Sequence, residues 1–306
     1  TYSATALFFA ILSFSGCWAM YKTFYTYFPS LHFQTSIALL FIPTVIFWGS
    51  GLLKDSITLM AIGWFIYSFD QLLFRRNNIA INLMILLAVG YILMEVKLYI
   101  LLALLPSLLV WYFVANIGMI KNVVLRWLIA PFTIILCLGM AFLTINQISQ
   151  SNKKYSLENI STTAMVTAND IAYWTGKDAG STYVLGDLDG TYQSLIRLFP
   201  SALNVTYFRP YPWEVNNVLM LLSSFESTIL LLFFLYILLK SKIINLVRIK
   251  WPPIIIFALV FAITFAFAVG VSTFNFGTLS RYKIPCMPLF LMVLIYVNHE
   301  LSSQLK

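Results

Sequence analysis

Residues 251–271 read WPPIIIFALVFAITFAFAVGV, twenty-one positions without a single charge. Coiled as a helix at about 1.5 Å per residue, such a run is as long as the roughly 30 Å hydrocarbon core of a bilayer is thick. Further apolar runs of helical length occupy 2–21, 36–47, 57–69, 79–94, 98–120, 127–145, 218–239 and 285–297. The sequence therefore predicts an all-α, polytopic transmembrane bundle of about nine segments. The runs 36–47, 57–69 and 285–297 fall short of the roughly 17 residues a span needs. Flanking residues must lengthen them, or they are broken or re-entrant pieces lined by protein.

Composition agrees. Of 306 residues, 60% are hydrophobic and 10% charged, with 26 Phe, 17 Tyr and 8 Trp. That balance excludes a disordered chain, a collagen-like fibre, a disulfide scaffold and a water-soluble nucleic-acid binder. Cys17, Cys137 and Cys286 lie in or beside apolar runs without zinc spacing, and His32 and His299 are isolated. The chain starts directly in an apolar run, with no basic leader and cleavage site, which leaves room for it to be a piece of a longer protein.

The net charge of +8 has to be read by position. Lys240, Lys242, Arg248 and Lys250 share a loop with no acidic residue, which the positive-inside tendency places in the cytoplasm. Threading outward from that loop puts Lys22, Arg75, Arg76, Lys121, Arg126 and the C-terminus inside. It puts residues 146–217, with five basic and six acidic side chains, outside. The chain then divides into N-terminal membrane helices (1–145), an external loop (146–217) and C-terminal membrane helices (218–306). Glycine and proline punctuation breaks the external loop into short pieces. Thr162 or Thr163 can cap a helix to about Trp174, and Asp189 can cap another over 191–198, both read as amphipathic and lying on the membrane surface.

The same threading collects Lys54, Lys97, Arg209, Arg281 and Lys283 on the external side, against the positive-inside tendency, together with Asp55, Glu95, Glu214 and Glu226. An ionisable group at membrane depth costs about 2.5 kcal/mol or more unless paired or hydrated. Arg281-Tyr282-Lys283, just before Pro285, offers a planar fork and a point charge to a lipid-borne phosphate; the bland alternative is a pair of snorkelling anchors. Arg209, in Phe208-Arg209-Pro210-Tyr211-Pro212-Trp213-Glu214, is either a phosphate ligand or a headgroup anchor. Glu226 is either a base or half of a structural ion pair, and Glu95 and Lys97 pose the same choice. Gly49-Ser50-Gly51 before Lys54 allows irregular backbone in a cavity or a plain turn. Asp187-Leu188-Asp189-Gly190 is a capped turn and not a calcium loop, because position 12 would be Leu198; no metal site is expected.

Three of these stretches, residues 47–56, 208–214 and 275–285, resemble segments of bacterial inner-membrane polysaccharide-assembly proteins. That group includes O-antigen and exopolysaccharide polymerases and polyprenyl-phosphate-dependent glycosyltransferases of the GT-C type. The resemblance implies a polyprenyl-linked sugar as substrate, transfer on the external face, and no nucleotide sugar, metal or other cofactor. Combined with the charge map, that substrate gives phosphate binding to Arg281, Lys283 and Arg209, with Lys97 and Lys54 beside them, and proton abstraction to Glu214 or Glu226. Membrane lipids are expected partners and nucleic acid is not. The early acidic motif of mannosyltransferase-like relatives is missing, since nothing before Lys54 is acidic. A transporter or lipid flippase, or a non-catalytic membrane subunit, would carry the same charges differently.

The charge map is tested by fusing a reporter that works only outside the cytoplasm. Activity is expected for fusion at Tyr183 and none at Ile244; the reverse result overturns the map.

Overall fold

The computed structural model describes residues 2–117, 165–166, 173, 182–183, 185–186, 192–241 and 249–304, with backbone only at 192, 195, 196 and 219. Among these the regular elements are helices: α1 (Tyr2–Tyr27), α2 (His32–Leu40), α3 (Pro43–Gly49), α4 (Lys54–Asp70), α5 (Ile79–Asn116), α6 (Tyr192–Phe208), α7 (Val218–Ser241), α8 (Pro253–Ser272), α9 (Phe276–Tyr282) and α10 (Met287–Gln304). Among the described residues five helices are long and apolar enough to cross a membrane, or up to seven if each of two bent pairs is one span. The chain is a multi-pass helical membrane protein. The expected segment 127–145, the helix to Trp174 and the turn at 187–190 lie outside the described residues.

The short apolar runs are completed as physics requires. Run 57–69 gains Lys54 and Asp55 at one end and the π-turn Gln71–Arg75 at the other, which makes a 22-residue helix. Run 36–47 is broken: Pro29–Leu40 and Pro43–Gly49 meet at 50°. Pro43 has no N–H and drives Ile42 out of the helical region, to φ −72°, ψ 123°. The last run is the second half of a pair bent by 70°, Phe276–Tyr282 followed by Met287–Gln304.

Helix α5 is 38 residues long, about 57 Å if straight and nearly twice the thickness of a bilayer core. It is not straight. Lys97 has non-helical torsions (φ −151°, ψ 78°). Gly90 lies against Phe65, Lys97 pairs with Asp55, and Trp111 packs 5.1 Å from Phe74. Along α4 that order runs towards its start and then back past its end, so the chain reverses at Lys97.

Helix α8 forms the centre, against α5, α6 and α10. Its Phe257, Phe261, Phe265, Ala258, Ala262 and Ala266 are fully buried, while Thr264 and Ala268 on another face are exposed, so most but not all of its surface is covered. Stacked rings extend outward from it, Trp111 on Phe257 at 5.2 Å and Tyr99 on Phe265 at 5.9 Å. The helix expected over 191–198 is longer than predicted and runs on to Phe208. Its second half packs on α8, with Thr206 and Tyr207 hydroxyls donating to the Ala266 and Ala262 carbonyls at 2.9 Å each.

Among the described residues, two groups of basic side chains lie at opposite ends of α4. At one, Tyr27 donates to Asp70 at 2.7 Å, Arg75 pairs with Asp70 at 3.3 Å, and Lys240 donates to Asn298 at 2.8 Å. Phe28 and Tyr296, 5.1 Å apart, join these groups, and Tyr296 donates to the Lys250 carbonyl. At the other end of α4 lie Lys54, Lys97 and Arg281.

Where α1 crosses α4, a Cβ on Gly63 would fall 1.9 Å from the Gly16 carbonyl oxygen, so the two backbones touch directly. Gly63→Ala should lower the stability of the detergent-purified protein by about 1–3 kcal/mol through overpacking. Gly90→Ala, which meets only the Phe65 ring at 3.3 Å, should be close to neutral in the same thermal melt. Equal effects would refute the crossing.

Candidate functional site

The site is organised by α9, seven residues long, whose N-cap Asn275 accepts from the Gly277 and Thr278 N–H groups at 2.8 and 3.2 Å. So short a helix is unstable alone. Side chains on and just after it reach three charged groups.

The first centres on Asp55. This carboxylate is fully buried and receives Lys97 on one oxygen and Arg281 on the other. It lies in the first turn of α4, where the helix dipole favours negative charge. The Lys97 ammonium sits 4.7 Å over the Tyr282 ring, and the Arg281 guanidinium 5.9 Å from it. Two cations share one carboxylate, which leaves a surplus of one positive charge. Arg281 is 31% exposed and engages Asp55 through Nε; its terminal nitrogens make no hydrogen bond among the described residues. Lys54, the residue before Asp55, is exposed.

The second group joins Glu226 to Lys283. Glu226 accepts from the Thr44 N–H and hydroxyl, each at 2.8 Å, and lies 4.0 Å from the fully buried Lys283 ammonium. Lys283 also donates to Ser227 at 3.2 Å. The broken helix pair explains the first contacts. Breaking the chain at Ile42 leaves early N–H groups of α3 without helical partners, and the carboxylate from α7 supplies one. A lone carboxylate inside this apolar helix would be costly, and its pairing meets that cost.

The third group is local. Glu214 grips the Arg209 guanidinium with both oxygens and accepts from the Tyr211 N–H at 2.8 Å. Burial acts to raise the Glu214 carboxyl, but the Arg209 and Tyr211 hydrogen bonds outweigh it and hold the group below the ordinary carboxylate value. Arg209 also lies over Tyr183, Tyr211 and Phe276 at 5.6, 5.9 and 5.3 Å.

The structure thus brings Arg281, Lys97 and Lys54 together, sets Lys283 with Glu226, and pairs Arg209 with Glu214. Sequence reasoning gave no role to Asp55, Thr44 or Tyr183. The adjacency of Lys54 and Asp55 was a visible signal for the first; nothing in the sequence pointed to the others. Beside α9 opens an apolar cavity of about 720 Å³, with Glu226, Ser223, Trp48 and Ser280 on its wall. No group of three His, Cys, Asp or Glu side chains able to hold a metal occurs among the described residues.

No protein family, curated protein or solved structure matches the chain.

Removing Asp55 should leave Lys97 buried without its counter-charge. Asp55→Ala is expected to cost about 3–5 kcal/mol, and Lys97→Met in the same chain to restore part of it, read by thermal unfolding in detergent. A double variant no more stable than Asp55→Ala alone would refute the pairing.

Proposed function

We propose that the protein takes part in cell-surface glycan assembly, transferring or polymerising sugars from a polyprenyl phosphate or pyrophosphate carrier at the external face of a bacterial inner membrane. One observation carries the reading. A buried carboxylate steadies Arg281 through Nε, next to exposed Lys54, and the terminal nitrogens of Arg281 bond no acid among the described residues, so a guanidinium is held ready for an anion at the end of the helices. A phosphate ester accepts bidentate bonds from such a fork, and a departing pyrophosphate gains negative charge that these cations offset. The resemblance of residues 47–56, 208–214 and 275–285 to polysaccharide-assembly proteins supports the same substrate.

In this reading the α9 end faces outward and Lys240 and Lys250, at the other end, face the cytoplasm with the C-terminus. Counting α5 as two spans and adding 127–145 gives nine segments. Arg281 and Lys54 are the phosphate ligands, with Lys97 behind them. Arg209 and Lys283, each committed to a carboxylate, shape the site. Glu226, on the cavity wall, is the carboxylate available to an acceptor hydroxyl, whereas Glu214 is held by Arg209.

A second reading, a lipid flippase, is favoured by the fact that Asp55, Glu214 and Glu226 all have partners already, which suits a carrier that needs no base. The two differ in what purified protein does: the first extends a lipid-linked sugar, the second only moves it between leaflets.

Lys54 makes no ion pair among the described residues, so its removal spares the fold. Lys54→Gln should lower kcat/KM for lipid-linked substrate about tenfold, with kcat falling as well as affinity, as loss of a charge-assisted contact that strengthens towards the departing pyrophosphate would. Arg281→Lys, which keeps the charge beside Asp55 and loses the fork, should be at least as damaging. Unchanged kinetics in both variants would remove the phosphate site.

A further inference from the structure

The cavity beside α9 differs chemically from the cationic cluster. Its volume of about 720 Å³ lies inside the ~300–1,000 Å³ of small-ligand sites. It lies between α2 and α3 on one side and α7, α9 and α10 on the other. Phe41, Phe47, Phe225 and Ile229 line it and are themselves exposed, at 62%, 55%, 68% and 52%. These residues belong to helices apolar enough to lie in a bilayer, so the opening faces lipid chains.

Two polar groups break the apolar lining on one face of α7, Ser223 and, three residues on, Glu226. Hydroxyls in these helices ordinarily turn back to a carbonyl one turn earlier, as Ser107 does to Ala103 at 2.7 Å and Thr206 to Ala202 at 2.8 Å. The Ser223 hydroxyl does not. It is buried, 5% exposed for the residue, and has no partner among the described residues. Such a group costs about 1–3 kcal/mol until something bonds it. Each Glu226 oxygen already accepts from Thr44 and keeps capacity for one more donor. No Lys or Arg lines the cavity. The polar spot therefore accepts hydrogen bonds and offers one hydroxyl, while the Glu226 charge is already balanced by Lys283 at 4.0 Å, which suits a neutral donor and leaves an anion no uncommitted cation on the wall.

We propose that this cavity binds a neutral single-chain lipid bearing hydroxyl groups, taken sideways from the bilayer, with its chain along the Phe-rich wall and its hydroxyl against Ser223 and Glu226. The site requires neither the phosphate ligands nor sugar transfer. It is separate from Arg281 and Lys54, so its failure and theirs are told apart by different variants.

Trp48 lines the cavity and reports on occupancy. The purified protein in nanodiscs would be titrated with three dibrominated chains: a monoacylglycerol, the corresponding methyl ester and the corresponding fatty acid in its ionised form. Trp48→Phe supplies the signal of the other tryptophans for subtraction. Saturable quenching of Trp48 by the monoacylglycerol is expected, at least about fivefold tighter than by either other chain, the scale of one hydrogen bond to a neutral group. Ser223→Ala should remove that preference, and Ser223→Thr, which keeps a hydroxyl, should retain it. Three results would each overturn the proposal: no saturable quenching, equal affinity for the ester with no effect of Ser223→Ala, or tightest binding of the ionised fatty acid.

Discussion

Everything at the α9 end depends on the burial of Asp55. A fully buried carboxylate persists only with compensation, and its two partners come from places far apart in the chain, Lys97 and Arg281. One oxygen fixes the start of α4 against the reversal of α5. The other ties both to α9. The backbone at Lys97 leaves helical geometry where its ammonium must reach Asp55, so the reversal and the ion pair are a single feature. Without the carboxylate, the two arms of α5 and the short helix α9 would lose their common reference.

Proline acts at the same places. Pro43 ends α2 and exposes the Thr44 N–H, which Glu226 accepts. Pro285 follows Lys283 in the turn before α10, at a bend of 70°. Each break inside the apolar helices frees backbone groups that lipid cannot satisfy. The charged and hydroxylated side chains of this end supply bonds to them, as Ser227 does by donating to the Arg209 carbonyl at 3.1 Å. Much of the polarity that first attracts attention in the sequence thus serves the fold.

The helical membrane architecture was legible in runs such as 251–271, because hydrophobic length is a one-dimensional property. The weakness of 36–47 and 57–69 was legible too, and the break at Ile42 and the extension of α4 to Arg75 answer it. The pair Arg209 and Glu214, five residues apart, could be guessed from spacing. The link from Asp55 to Arg281, 226 residues on, could not. Hydropathy tells at which end of a span a charge sits but not the direction in which it points around the helix axis, and that direction decides its partner. The same limit hid Thr44 behind Glu226. It also hid Tyr183, whose ring stacks on Phe274, 91 residues on, at 5.9 Å.

Charges in a medium of low dielectric neutralise one another first, and only the remainder is available to a ligand. Glu226 with Lys283, and Arg209 with Glu214, each sum to zero. Asp55 with Lys97 and Arg281 leaves one positive charge, and exposed Lys54 adds a second. The positive remainder therefore lies on the side of α9 that carries Arg281. The side that carries Gly277 and Ser280 faces the apolar cavity, whose charged wall residue, Glu226, is already balanced by Lys283. If the proposed phosphate-bearing ligand entered the cavity head first, its anion would find no uncommitted cation on the cavity wall. In the proposed function its phosphate stays at the Arg281 side, while a neutral hydroxyl can approach Glu226 from within the cavity. On that proposal, anion and hydroxyl on neighbouring faces of one seven-residue helix would set a donor and an acceptor side by side without bringing two negative charges together.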